Sequence, residues 1–208
     1  MLHIKARTVA ECWQKSFKEL YLHGSGSQEK EFYRYDLAVV EIENVNEDFY
    51  DDKFPISRKD MEIINDYLVT GENEDKVIHE WTKIYRHRLF SENYSQIENI
   101  IEYLTKKPTG KRAQASIWKQ EEDMYGEIGP CLQIIWTEIT DNKLDMHVHM
   151  RTSDCYGKFL MNLGEFASLQ KYMAKRLGIE TGKYVQFTDS LHFNYTDKEK
   201  VENLIGQI

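Results

Sequence analysis

GPCLQIIWTEITDNKLDMHVHMRTSD, residues 129–154, is the stretch that decides the fold. Leu132–Ile139 and Leu144–Met150 are two apolar-rich runs that read as strands, and residues 140–143 (TDNK) carry the turn residues that join them as a hairpin. Folding back in this way puts Cys131 and Arg151 near the same end of the hairpin. Upstream, Ala113–Trp118 reads as a third strand and Tyr35–Glu43 as a fourth, and Tyr184–Phe187 reads as the last. Helical signals alternate irregularly with these strands. Thr8 and Glu11 have capping-box spacing before Val9, Cys12, Trp13, Phe17 and Leu20, which share one helical face. Ser57 caps a helix carrying Met61, Ile64 and Leu68, and a further helix is expected over residues 76–89. Ser95 and Glu98 form another capping box before Ile97, Ile100, Ile101 and Leu104, with Pro108 and Gly110 as the stop. Phe166, Leu169, Met173 and Leu177 mark a buried helix closed by Gly178. Helices and strands mixed without strict βαβ alternation predict an α+β fold.

The chain has 208 residues, which suits one domain with its own core. Polar turns are expected at residues 23–30 (HGSGSQEK) and 71–75 (GENED), both too short to be domain linkers. A net charge of −8 argues against DNA or RNA as a partner, although it leaves room for a local basic pocket that takes a small anion. No apolar run is long enough to span a membrane, and residues 1–13 show no signal-peptide core, so a cytoplasmic protein is expected. The three cysteines, Cys12, Cys131 and Cys155, form no CxxC pair and suit free thiols better than disulfides or a zinc site.

Several residues could carry chemistry, and each has a plain structural reading beside the functional one. Cys131 can act as a nucleophile only as a thiolate, which needs a nearby cation; otherwise it is a small buried hydrophobe. Arg151 could supply that cation, and its planar fork, with the Thr152 and Ser153 hydroxyls, suits a phosphate. It could equally pair with Asp154 in a loop. The Asn162 amide offers a donor and an acceptor that fit the edge of a uracil ring, while its spacing to Glu165 suits a helix cap. Residues 189–195 (DSLHFNY) read as a polar loop able to hold a sugar hydroxyl. The pairs at 86–88 (RHR) and 111–112 (KR) read as solvated faces. His147 and His149 alternate on a strand without an evident third ligand, so no metal is expected.

In order along the chain, these segments resemble thymidylate synthase, most closely its short archaeal-type members and the related nucleotide hydroxymethylases. The likeness covers roughly residues 85–196. It begins at Tyr85-Arg86-His87-Arg88-Leu89, continues through residues 96–118, and includes Gly129-Pro130-Cys131 in place of a Pro-Pro-Cys nucleophile segment. Arg151-Thr152-Ser153-Asp154, with Asn162 eight residues on, resembles the family's Arg-Ser-x-Asp…Asn spacing, and residues 169–195 resemble its helix, strand and His-containing nucleoside loop. The resemblance implies a thymidylate synthase-like mixed sheet with packed helices, as one domain over residues 1–208, forming a homodimer with shared active sites. It further implies transfer of a one-carbon unit from 5,10-methylenetetrahydrofolate to C5 of a pyrimidine nucleotide, with dUMP to dTMP favoured and 5-hydroxymethylation or a non-catalytic nucleotide-binding role as alternatives.

The same resemblance implies the site residues. Cys131 would attack C6, Arg151 would hold the phosphate and lower the thiol pKa, and Thr152 would add a phosphate contact. Asp154 would contact the folate, Asn162 would read the base, and His192 with Tyr195 would hold the sugar. Lys111 and Arg112 would reach the phosphate of the neighbouring subunit. Relative to the family's pattern the sugar-binding Tyr is either displaced by one position, to Tyr195, or replaced by Asn194. Arg34 is the candidate for a flexible phosphate arginine, Trp81 for an indole near the transferred carbon (against a helix-core role), and Ile208 for a C-terminal cover.

Overall fold

The computed structural model describes residues 1–26, 32–48, 50–91, 93–127 and 129–208, so the 23–30 turn lies outside the described residues beyond Gly26. The N-terminal region runs β1 (Leu2–Ala6), α1 (Val9–His23), β2 (Phe32–Ile42), α2 (Arg58–Thr70), a 3-10 turn at Glu74–Lys76, α3 (Glu80–Leu89) and α4 (Gln96–Lys106). The remainder is β3 (Gln114–Ser116), α5 (Gln120–Asp123), β4 (Leu132–Thr140), β5 (Lys143–Met150), β6 (Ser153–Asp154), α6 (Lys158–Leu177), β7 (Glu180–Asn194), a 3-10 turn at Tyr195–Asp197 and α7 (Lys198–Ile205). This is the expected α+β class.

The strands form one mixed sheet in the order β1-β2-β7-β5-β4-β3, with β6 also paired to β7. β1 runs parallel to β2, β7 is antiparallel to β2 and parallel to β5, and β4 is antiparallel to both β5 and β3. The hairpin of residues 132–150 closes through Asp141 and Asn142, both at positive φ (51° and 59°), as a two-residue turn matched to strand twist demands. One face of the sheet, carrying Val40, Ile42, Leu144, Met146, Val148 and Tyr184, is buried against α1 and the long apolar α6, and α2 and α4 pack on α6 in turn. Trp13, Phe17 and Phe166 anchor this core.

Three departures from the sequence reading matter for the site. The helix expected over 76–89 starts only at Glu80, because Val77 and His79 are extended. The helix carrying Phe166 starts at Lys158, so Asn162 lies inside it and is not its cap; Gly157 stands at the cap position, and the Asp154 carboxylate accepts the Tyr156 and Gly157 N–H groups at 3.1 and 3.4 Å instead. The last strand is not confined to 184–187 but runs on through residues 189–194, which were expected to loop. No helix among the described residues is long and apolar enough to cross a membrane.

Candidate active site

The expected hairpin geometry places Cys131 and Arg151 at one end, and a direct backbone bond joins them: Arg151 N–H donates to the Cys131 carbonyl at 2.9 Å. Here β5 stops and β6 resumes after two residues. Met150 pairs with Thr188 and Ser153 with Leu191, so both strands hold the same register on β7. Arg151 and Thr152 fill the gap, freed from the ladder. The Arg151 guanidinium turns back to donate to the Pro130 and Gly129 carbonyls at 3.2 and 3.0 Å, and it sits 5.9 Å from the Trp118 ring. It therefore braces the segment that presents Cys131, and it does not pair with Asp154.

Around this break lies a cleft of about 710 Å³, a size that accommodates a nucleotide-scale ligand. Cys131, Arg151, Thr152, Asp154, Asn162 and His192, six residues from four separate stretches of chain, all line it. Cys131 is half-buried; burial pushes its thiol up, and the Arg151 and then Lys158 cations pull it back down. The expected lowering by Arg151 is thus present, but it is outweighed by burial. Thr152 donates to the Ser190 carbonyl at 3.0 Å and lies 3.1 Å from His192 Nδ1, so its hydroxyl is already engaged. His192 packs its ring on Phe32, with centroids 4.1 Å apart. The Asp154 carboxyl is pushed up by burial, countered by the Tyr156 N–H and by His192.

Asn162 is buried with its amide tied at both ends. Ser153 Oγ donates to Oδ1 at 3.2 Å, and Nδ2 donates to Glu165 at 3.2 Å. The capping-box spacing of Asn162 and Glu165 thus becomes a side-chain pair in mid-helix.

Other expected residues stand elsewhere. Tyr195 is exposed, edge-on to Tyr33, and Asn194 lines the cleft in its stead. Lys111 bonds Glu138 and lies over Trp136, while Arg112 lines a small hollow beside Tyr103, so neither reaches the cleft of its own chain. Arg34 lies against Tyr33 outside the cleft, and Ile208 packs on the core. Trp81 meets both readings: its ring packs against the core and also lines the cleft, between His79 (4.5 Å) and Lys158 Nζ (4.6 Å). His147 lies beside Trp136 and His149 bonds Asp189 at 2.9 Å; no metal-holding cluster of three or more His, Cys, Asp or Glu occurs among the described residues.

Three site residues escaped the sequence reading. Lys158 was hidden because its helix begins earlier than expected. Tyr85 lies in the cleft wall with its hydroxyl accepting the Leu132 N–H at 3.3 Å, directly behind Cys131; its place in the first segment of the family resemblance was the available signal. Glu165 had no signal beyond its spacing to Asn162.

A second cleft of about 330 Å³ shares Ile78 with the first and is lined by Ile63, Ile64, Met161 and His79, with Lys76 at hand.

Comparison with known proteins shows what the chain as a whole resembles. The family model described as thymidylate synthase matches residues 34–207. The proteins named "Putative thymidylate synthase" in Methanosarcina acetivorans and Methanosarcina mazei are each 31% identical, over 99% of this chain and 95% of their own. The solved thermostable thymidylate synthase A from Bacillus subtilis superposes with a TM-score of 0.76 at 14% identity, covering 96% of this chain and 84% of that one. The structural likeness supports the fold.

Proposed function

Since the chain belongs to the thymidylate synthase family, which makes it a one-carbon transferase, we propose that it converts dUMP to dTMP. The observation that carries this reading is the convergence of Cys131, Arg151, Asn162 and His192 on one cleft. C5 of a uracil ring is a poor nucleophile. Addition of the Cys131 thiolate at C6 forms the S–C6 bond and moves the electron pair toward C5 and O4, splitting one hard step into two. C5 would then bond the incoming carbon as that carbon's two bonds to folate nitrogens break in turn, C5 would give up its proton, and hydride addition to the resulting methylene would expel the Cys131 thiolate from C6. Methylenetetrahydrofolate supplies the carbon and, for a methyl product, the hydride.

In this reading Arg151 holds the phosphate while bracing the Gly129–Pro130 backbone, and Lys158 adds a second cation that favours the thiolate. Asn162 meets the base edge, Asp154 faces the folate, and His192 with Asn194 holds the sugar. Trp81 and Tyr85 form walls that limit water near the reacting carbon, which favours methyl over hydroxymethyl.

Homodimerisation is part of the same proposal. The sheet face away from the helices carries Ile134, Trp136, Val185 and Phe187 only partly covered, and Lys111 and Arg112 lie beside it. A second copy against that face is what would bring Arg112 to a phosphate. Localisation in the cytoplasm and a single domain over residues 1–208 go with this reading.

The test is incubation with methylenetetrahydrofolate and dUMP, dCMP or CMP, with products weighed by mass spectrometry. The expected result is methylated dUMP formed in step with dihydrofolate. A hydroxymethyl product without dihydrofolate overturns methyl transfer. Cys131→Ala should abolish turnover with folding and nucleotide binding retained, whereas Cys12→Ala and Cys155→Ala should keep activity; turnover by Cys131→Ala removes the nucleophile from the mechanism.

A further inference from the structure

Asn162 belongs to a chain of four buried polar side chains from three elements. Ser153 of β6 donates to its Oδ1, its Nδ2 donates to Glu165 Oε2, and Thr82 of α3 donates to Glu165 Oε1 at 2.5 Å. Glu165 and Thr82 are wholly inaccessible, and Asn162 and Ser153 nearly so. Only Asn162 and Ser153 of the four reach the cleft wall.

The two ends of an amide differ: the oxygen accepts and the nitrogen donates. Uracil and cytosine differ in the opposite sense at ring positions 3 and 4, one presenting N–H then carbonyl, the other bare nitrogen then amino. An amide free to turn over can serve either base. Ser153 cannot stop the turn, because a hydroxyl donates or accepts as required. Once ionised, as at pH 8, the Glu165 carboxylate only accepts, and the reversed amide would set Oδ1 against it in a buried place, where an unmade bond is costly.

We propose that Glu165 is the specificity-determining positioning residue, its carboxylate fixing the order in which Asn162 presents donor and acceptor to the pyrimidine. This rests on the reading in which Asn162 meets the base. Glu165 touches neither substrate nor reacting atoms. The other titratable groups that bear on it are Tyr85 of α3 and Tyr184 of β7, both buried phenols.

The experiment compares kcat/KM for dUMP and dCMP at pH 8 in wild type, Glu165→Gln, Thr82→Val and Asn162→Ala. Isothermal titration with each nucleotide gives the same ratio without turnover. Glutamine fills the same space but can donate or accept, so the ratio should fall about tenfold, the share of one two-point base contact. Thr82→Val, which loosens the carboxylate without removing it, should produce a smaller fall. A merely structural Glu165 would lower both nucleotides together and leave the ratio unmoved, which overturns the proposal. If Glu165→Gln does not fold, an unmoved ratio in Thr82→Val does the same. Asn162→Ala separates the two readings. If it keeps the wild-type ratio, Asn162 does not read the base and the underlying reading fails. If it loses the ratio while the other two variants keep it, only the role of Glu165 fails.

Discussion

Burial acts on single residues in this site more strongly than neighbouring charge does. It raises the Cys131 thiol in spite of two cations, and it pushes the Glu165 carboxyl up to about 7 in spite of donors from Thr82 and Asn162. The second case has a direct consequence for stability. In the unfolded chain Glu165 releases its proton near 4.5, whereas the folded chain keeps it up to about 7. Between those values the folded state binds more protons, so stability falls as pH rises through the window and the whole cost is felt above it. A gap of that size corresponds to about 3 kcal/mol at 1.4 kcal/mol per pKa unit. Glu165→Gln does not titrate. Its unfolding free energy relative to wild type, from urea melts at pH 4.5 and pH 8, should therefore improve by about 3 kcal/mol across the window; an unchanged difference means the buried carboxyl is not titrating there. At this scale the sequence already offered Cys131, Arg151, Thr152, Asp154, Asn162 and His192, because a known family pattern joins them. Lys158 and Glu165 stayed hidden because their roles depend on where α6 begins and on a partner in α3, 83 positions away in the case of Thr82 and Glu165.

Elements whose boundaries are signalled locally were legible, and those set by distant contacts were not. Thr8, Ser57 and Ser95 each cap the expected helix, accepting from Glu11, Asp60 and Glu98 N–H groups at 3.1–3.2 Å. Even so, the box at Ser95 is only half made, since the Glu98 carboxylate goes to Arg176 and Tyr172 of α6. The start of α6 gave no sign, because Gly157 has no side chain to cap with. The polar residues 189–194 look like a loop but extend β7, since its far end is a cleft wall and needs polar side chains there. The end of α6 was legible for a reason that can be measured. Gly178 has φ of 72°, its N–H bonds the Lys175 carbonyl at 3.2 Å, and a Cβ built there would meet nothing within 4 Å. Gly178→Ala thus meets no steric clash, only the left-handed backbone penalty, and should lower stability by about 1–2 kcal/mol in a urea melt. Full activity per folded molecule is expected to remain.

At the scale of the whole molecule, Arg151 is the one exposed phosphate-suited arginine that lines the cleft among the described residues, and Arg112 lies outside it beside the open sheet face. If that face joins two copies, Arg112→Ala and Arg151→Ala damage different chains of each site. Mixing the two inactive variants under conditions of proven subunit exchange should restore about a quarter of wild-type activity, the statistical share of intact sites when equal chains pair at random. No recovery would mean that each chain builds its phosphate site alone.

The sheet order also carries a consequence for how the chain comes off the ribosome. β7 is the last of this sheet's strands in chain order among the described residues, yet it lies in the middle of the sheet between β2 and β5. Until it emerges, β1-β2 and β3-β4-β5 are two half-sheets, each with a bare edge where β7 belongs, the kind of edge that recruits strands from other chains. Translation must therefore pass residue 194, the end of β7, before the N-terminal half can close, and a message cut short before residue 180 yields an aggregation hazard rather than a smaller folded protein.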